Sequence, residues 1–208
     1  MRIAIADDHP VVRRGLKAII EDALPRVDVD EAGSAAELLS LVRKREPDVV
    51  LLDISMPGRS GLEALKELRA EHPKIPMLVL SVHSEDQFAV RSIRAGASGY
   101  LTKDSAPEEL VDAIQTVVAG RRYLTPSVAE RLASAIETDA NRLPHEMLSD
   151  REFHVLRMLA AGKTNGEVAD ELALSAKTVS TYRTRTLRKM GMRTNAELTQ
   201  YAVRHGLV

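Results

Sequence analysis

The feature that most limits the fold is a fivefold alternation of short apolar runs with amphipathic stretches, confined to the first 124 residues. Arg2–Ala6, Val27–Ala32, Val49–Asp53, Pro76–Val82 and Gly99–Leu101 read as strands. Three of them are almost continuously apolar, as a parallel sheet covered on both faces requires. Between them Ala35, Leu38, Leu39 and Val42 recur at helical spacing, as do Leu62, Leu65 and Leu68, and then Leu110, Ala113, Ile114, Val117 and Val118. Ser34 and Ser105 stand where caps belong, with Pro107 in the first turn after the second. Five such units predict an open, doubly wound parallel α/β domain with right-handed crossovers over residues 1–124. The helix over Glu85–Ala95 has the weakest apolar stripe, so its packing is expected to be the most adjustable.

After Leu124 the strand signal ends. Pro126–Thr138 fits one helix, and Asp139 to Pro144 reads as a flexible linker, so residues 125–143 form a connecting segment. From Leu148 the pattern is entirely helical, in four pieces: Asp150–Ala161, Asn165–Leu172, Ala176–Met190 and Asn195–His205. Ser149, Thr164, Ser175 and Thr194 precede them as caps, and Gly162, Gly191 and Gly206 close three of them. Residues 144–208 are therefore expected to form an all-α, four-helix domain.

Composition excludes several classes. Cysteine is absent, which removes disulfides, thiol nucleophiles and thiolate metal sites. The longest apolar runs stop after a few residues at Asp7 and Asp53, so neither a signal peptide nor a membrane span is expected, and a cytoplasmic location is. The net charge of −1 is unevenly spread: residues 1–124 hold 17 Lys/Arg against 20 Asp/Glu, and residues 144–208 hold 10 against 7. Ser175–Arg193 contains no acid, yet carries Lys177, Arg183, Arg185, Arg188, Lys189 and Arg193. An acidic half joined to one basic helix suits a regulatory domain attached to a nucleic-acid reader; charge alone fits a solvated basic face equally well.

In an open parallel sheet, function collects at the carboxyl ends of the strands. Asp7 and Asp8 follow the first strand, Asp53 ends the third, Ser81 stands in the fourth near its end, and Lys103 follows the fifth. If the first and third strands are neighbours, three carboxylates converge and require a cation. An all-oxygen set suits Mg²⁺. With Lys103 as a fixed positive charge and Ser81 as a hydroxyl donor, the group can transfer a phosphoryl onto a carboxylate. Singly, each residue has an ordinary reading, as helix cap, surface lysine or loop hydroxyl, and His9 beside Pro10 reads as a loop residue.

The set Asp7-Asp8, Asp53, Met56-Pro57-Gly58, Gly61, Ser81, Tyr100 and Lys103 resembles the receiver signature of two-component response regulators. The resemblance implies a flavodoxin-like, five-stranded receiver in which Asp53 accepts phosphate from a sensor histidine kinase. It implies Mg²⁺ bound directly by Asp8, Asp53 and the Ser55 carbonyl, with Asp7 acting through water. Lys103 pairs with the phosphoryl group, and Ser81 and Tyr100 form the switch pair, Ser at 81 being a permitted variant of Thr.

Leu148-Ser-Asp-Arg-Glu, Val155-Leu, Ala161-Gly-Lys-Thr-Asn, Val168-Ala, Leu174-Ser, Lys177-Thr-Val and Arg183 resemble the LuxR-type helix-turn-helix, and the domain order is that of the NarL/FixJ class. In the second helix of that motif, Val179, Leu187 and Met190 should face the core. Lys177, Thr178, Ser180, Thr181 and Thr184 should face a major groove, with Arg183, Arg185, Arg188 and Lys189 on phosphates. Many relatives have a basic residue where Ser180 stands and His where Tyr182 stands, so base preference does not carry over; Tyr182 is expected to pack within the domain. The resemblance further implies a homodimer on activation through Leu198, Tyr201 and Ala202, an inverted-repeat DNA site, and RNA polymerase as a possible partner.

The expected protein is a transcription regulator and not an enzyme, with self-phosphorylation and slow autodephosphorylation as its only chemistry. Two rivals stand beside it. A haloacid-dehalogenase-type phosphatase would use a similar acidic set, but its strand continues Asp-x-Asp, where this chain has Ser55, and no cap segment is inserted. A phosphorylation-independent binding module that keeps the receiver as scaffold is separated from the main reading only by a phosphotransfer assay.

Overall fold

A computed structural model describes residues 1–57, 60–81, 87–137 and 143–208, which divide into two compact units, Met1–Ser134 and Ala135–Val208. The first unit runs β1 (Arg2–Ala6), α1 (Pro10–Ala23), β2 (Asp28–Ala32), α2 (Ala35–Lys44), β3 (Val49–Asp53), α3 (Gly61–Glu71), β4 (Met77–Ser81), α4 (Gln87–Arg94), β5 (Gly99–Thr102) and α5 (Pro107–Val118). The division falls within α6 (Pro126–Glu137). Thr138 and residues 139–142, read as helix end and linker, lie outside the described residues, as do Val82 and the first two residues of Glu85–Ala95.

All five strands are parallel, in the order β2-β1-β3-β4-β5. Strand alternation divides the core in two. Ile3, Ile5, Val49, Leu51, Leu78, Leu80 and Leu101 pack with Ile20 of α1 and Leu110, Ala113, Ile114 and Val117 of α5. The strand residues of opposite parity, Ala4, Val50, Leu52, Val79 and Tyr100, are also buried. So are Leu38, Leu39 and Val42 of α2 and Leu62, Leu65 and Leu68 of α3, none of which belongs to the first cluster. Helices therefore cover both faces, which is why β3 and β4 are buried throughout and apolar up to their last residues, Asp53 and Ser81.

Two local expectations are corrected. The N-cap of α5 is Ala106, not Ser105; Pro107 opens the helix and Glu108 and Glu109 sit in its first turn, so it starts without a side-chain cap. Ser105 instead closes the turn around Lys103, its Oγ 3.3 Å from Thr102 Oγ1. In α4 the stripe is compact and not weak, since Phe88, Ala89, Ser92 and Ile93 are all buried.

In the second unit a 3-10 turn (Pro144–Met147) precedes α7 (Asp150–Ala160), α8 (Asn165–Glu171), α9 (Ala176–Met190) and α10 (Asn195–Arg204). Ser149, Thr164, Ser175 and Thr194 all cap as expected. The first two form full capping boxes with Glu152 and Glu167, a motif worth roughly 1 kcal/mol per cap. Helix α7 packs against α8, α9 and α10, and this explains why nine of its eleven residues are buried. Its Val155, Met158 and Leu159 meet Val168, Ala169, Leu172 and Val179 in the core.

Candidate functional site

The strand order places β1 and β3 side by side, with Ala6 opposite Leu52, so Asp7 and Asp53 leave the sheet at the same level. Order changes direction here, which opens a crevice beyond the strand ends. Asp7 is wholly buried, Asp53 is 1% exposed, and Asp8 beside them is half-buried. Lys103, one residue past β5, reaches across the crevice: its Nζ lies 2.5 Å from Asp7 Oδ2 and donates to Asp53 Oδ2 at 2.7 Å. The Ser55 amide donates to Asp53 Oδ1 at 2.9 Å.

Burial pushes the Asp53 carboxyl upward, against the bonds from Lys103 and Ser55 that lower it, and Asp7 adds to the rise. Burial acts the other way on Lys103, but its bonds to Asp53 and Asp7 prevail and raise its pKa. The ammonium is therefore a firmly held charge between two buried carboxyls.

Gly61 is needed beside this site for a steric reason. A Cβ there would lie 2.1 Å from the Asp53 carbonyl oxygen and 2.6 Å from Ile54 Cα. The start of α3 can approach the end of β3 only without a side chain. Gly58 of the same motif lies outside the described residues.

His9, read from sequence as a loop residue, is the N-cap of α1 and also touches the acids. Its Nδ1 lies 3.2 Å from Asp7 Oδ1 and 3.1 Å from Asp8 Oδ1, and its amide donates to Asp7 at 2.8 Å. Asp7, Asp8, His9 and Asp53 each offer a ligand atom within 4.8 Å of the others. Asp8 Oδ1 and Ser55 Oγ are buried without a hydrogen-bond partner. Oxygen donors with unused valence beside a carboxylate pair fit Mg²⁺. Ser81 ends β4 fully buried, and Tyr100 is 1% exposed in β5.

In the second unit, α8, the turn at Leu172–Ser175 and α9 form the helix-turn-helix. Ala173 takes a left-handed conformation (φ 49°) between buried Leu172 and half-buried Leu174. Val179, Leu187 and Met190 are buried as expected, and Thr186 joins them, its hydroxyl donating to Glu152 O at 3.3 Å. Tyr182 packs on the core. Lys177, Ser180, Thr181, Thr184, Arg185 and Arg188 remain on the surface and line one cleft of about 570 Å³. Thr178 is half-buried and bonded to the cap, its Oγ1 2.8 Å from Ser175 Oγ.

Five residues expected on DNA or in a dimer interface have partners within the domain. Arg183 Nε donates to Asn195 Oδ1 at 2.6 Å and Lys189 Nζ donates to Glu152 Oε2 at 2.6 Å, so both cations have a partner inside the domain, while Lys189 stays exposed. Leu198 and Ala202, expected in a dimer interface, are fully buried on the side of α10 that packs on α7. Tyr201 is half-buried, with its hydroxyl 2.8 Å from Nδ1 of the buried His145. The outward face of α10 instead carries Ala196, Gln200 and Val203, the last 64% exposed. Helical spacing alone leaves both faces of this short helix partly apolar, so the packing partner decides which is buried.

Residues 3–115 match the family described as response regulator receiver domain, and residues 146–202 the family of bacterial regulatory proteins, luxR family. The chain is 40% identical to response regulator GacA of Pseudomonas viridiflava, over 100% of this chain and 98% of that protein. It is 38% identical to response regulator UvrY of Escherichia coli K12, over 100% and 95%. Among solved structures it resembles RcsB of Salmonella enterica serovar Typhimurium bound to the promoter rprA with phosphomimetic BeF3⁻, at 25% identity and TM-score 0.65, covering 97% of each chain. Both halves of the chain and their order agree with this assignment: the protein belongs to the two-component response regulators of the NarL/FixJ class, with a receiver domain and a luxR-family helix-turn-helix domain.

Proposed function

We propose that Asp53 is the phosphoacceptor and that its phosphorylation by a sensor histidine kinase sets the affinity of α9 for an inverted-repeat DNA site. The observation that carries this is the triad Asp7–Lys103–Asp53: one ammonium held by two buried carboxylates at the carboxyl ends of the strands. Asp53 Oδ attacks phosphorus, the bond to the kinase imidazole nitrogen breaks, and that imidazole retains the proton it needs to leave. Lys103 then has a phosphoryl oxygen in place of Asp53 Oδ2 as its partner, and Ser81, one residue past the Leu80 that pairs with Asp53, supplies the hydroxyl that follows it.

Asp8, Asp53 and the Ser55 carbonyl would hold Mg²⁺, with Asp7 acting through water. When bound, Mg²⁺ neutralises the charge that gathers on the transferring phosphoryl oxygens. The buried Tyr100 is the second member of the switch. The reading includes self-phosphorylation, slow autodephosphorylation, a cytoplasmic setting and RNA polymerase as a further partner. No described helix is long and apolar enough to cross a membrane.

On the DNA side, the surface-exposed Lys177, Ser180, Thr181 and Thr184 read bases, while Arg185 and Arg188 contact phosphates. Two copies pair through the outward face of α10 around Val203, which sets the two recognition helices about 10 base pairs apart. The test is a footprint on the operator with and without a small phosphoryl donor and Mg²⁺. The wild type should protect both half-sites at lower concentration when phosphorylated, and Asp53→Asn should neither gain phosphate by intact mass nor respond. A phosphate adduct on Asp53→Asn, or donor-independent protection by the wild type, would overturn the reading.

A further inference from the structure

At the end of the receiver sheet opposite the acidic crevice lies a charged feature of the other sign. The sheet is parallel, so the segments that lead into β4 and β5 share one edge with the turn that follows α5. A cleft of about 390 Å³ opens among them, within the first unit alone. Its charged residues are Arg69 from α3, Lys74 before β4, and Arg121 and Arg122 after α5; no acidic side chain lines it.

Among the described residues, these charges have no counter-ion. Arg69 Nε and Nη2 donate to Gly96 O at 3.0 and 2.6 Å, and Nη1 donates to Pro73 O at 2.5 Å. Carbonyl oxygens satisfy these N–H groups and fix the plane of the guanidinium, but they do not neutralise it. Gly96 makes this possible: its φ is +106°, and a Cβ there would lie 2.9 Å from Arg69 Cγ. Among the described residues, Lys74, Arg121 and Arg122 take part in no ion pair or side-chain hydrogen bond, and all three are exposed. Burial lowers the Arg69 pKa, and the charge of Arg122 lowers it further, as expected of like charges facing one cavity.

We propose that this cleft binds an oligophosphate, a diphosphate or triphosphate group either free or carried on a nucleoside. Its four cations balance the three or four negative charges of such a group. The cleft volume lies at the small end of ligand sites, which suits a compact anion. Arginine forks add bidentate hydrogen bonds to phosphate oxygens. The charge is gathered in one cavity and not drawn out along a stripe, which separates this feature from the basic face of α9.

The test is isothermal titration calorimetry of the full-length protein with pyrophosphate, tripolyphosphate, ATP and adenosine at low salt. The buffer contains a chelator, so that no metal bridges anions to the acidic crevice. One anion per chain should bind, and the Lys74→Gln/Arg122→Gln double variant, altered only at exposed unbonded side chains, should bind about tenfold more weakly or worse. Asp53→Asn and the Arg185→Gln/Arg188→Gln double variant should bind as the wild type does. Equal affinity for tripolyphosphate and ATP assigns recognition to the phosphates, and tighter ATP binding assigns part of it to the nucleoside. Absence of heat at millimolar anion, unchanged affinity in Lys74→Gln/Arg122→Gln, loss in the α9 double variant, or adenosine binding as well as ATP would each overturn the proposal.

Discussion

Lys189 Nζ lies 2.6 Å from Glu152 Oε2, so the last turn of the recognition helix is tied to the first turn of α7. Glu152 is almost fully buried and also accepts from the Ser149 amide at 2.8 Å as half of the capping box. Burial pushes its carboxyl upward, but the bonds from Lys189 and Ser149 outweigh this and leave its pKa below the usual value. A carboxyl depressed in the folded state stabilises it above the unfolded pKa, and that stabilisation is lost as pH falls through the folded one. Glu152→Gln should therefore cost roughly 1–2 kcal/mol at neutral pH and flatten the acid limb below the ordinary glutamate pKa. Urea unfolding across pH, followed by hydrogen exchange at α7, measures both. An acid limb as steep as that of the wild type would show that the pair carries no linkage.

The same contact separates Lys189 from the two arginines beside it. Arg185→Ala and Arg188→Ala should each reduce the salt dependence of DNA binding by about one counterion, across all sequences. Lys189→Ala should leave that slope nearly unchanged and lower domain stability instead. A full unit lost from the slope on Lys189→Ala would mean that the ion pair opens on DNA.

Thr181 Oγ1 donates to Lys177 O at 3.0 Å and Thr184 Oγ1 to Ser180 O at 2.9 Å. Their protons are used within the helix, so each hydroxyl faces solvent chiefly as an acceptor. The expected partners are the exocyclic amino groups of adenine or cytosine in the major groove. Thr181→Val and Thr184→Val should each relax preference at one or two positions, by about 1–3 kcal/mol per position, in a binding selection. A lost preference for guanine would show that the hydroxyls turn round to donate.

Removing the shared ammonium should expose the cost of the acidic crevice. Lys103→Ala leaves Asp7 and Asp53 buried without a counter-charge, and should destabilise the receiver by about 3 kcal/mol in metal-free buffer. Mg²⁺ that binds only the folded form should then restore more of the melting temperature in this variant than in the wild type. Equal Mg²⁺ shifts in the two proteins would remove the carboxylates from the metal site.

Element order, the five-stranded α/β half, the helical half and the position of Asp7, Asp8, Asp53 and Lys103 at strand ends were all legible in the amino-acid order. These depend on periodicity and on local chemistry, which act between residues close in the chain. Cap residues before α7 to α10 were legible for the same reason, since a hydroxyl and an amide three residues on need nothing else.

Features that depend on distant partners emerged only once the chain was folded. Ser105 became a turn residue, its hydroxyl beside that of Thr102, while Ala106 took the cap position before Pro107. His9 reached the acids because β1 and α1 meet at that corner. Arg183 and Lys189 found partners in Asn195 and Glu152, which lie on neighbouring helices. Leu198 and Ala202 were buried because α7 covers that side of α10, and Val203 was left outside. Arg69, Lys74, Arg121 and Arg122 are scattered over more than fifty residues, and only the parallel sheet brings their charges to one edge. A helix face or a lone cation acquires its role from what packs against it, and that choice is made by the fold.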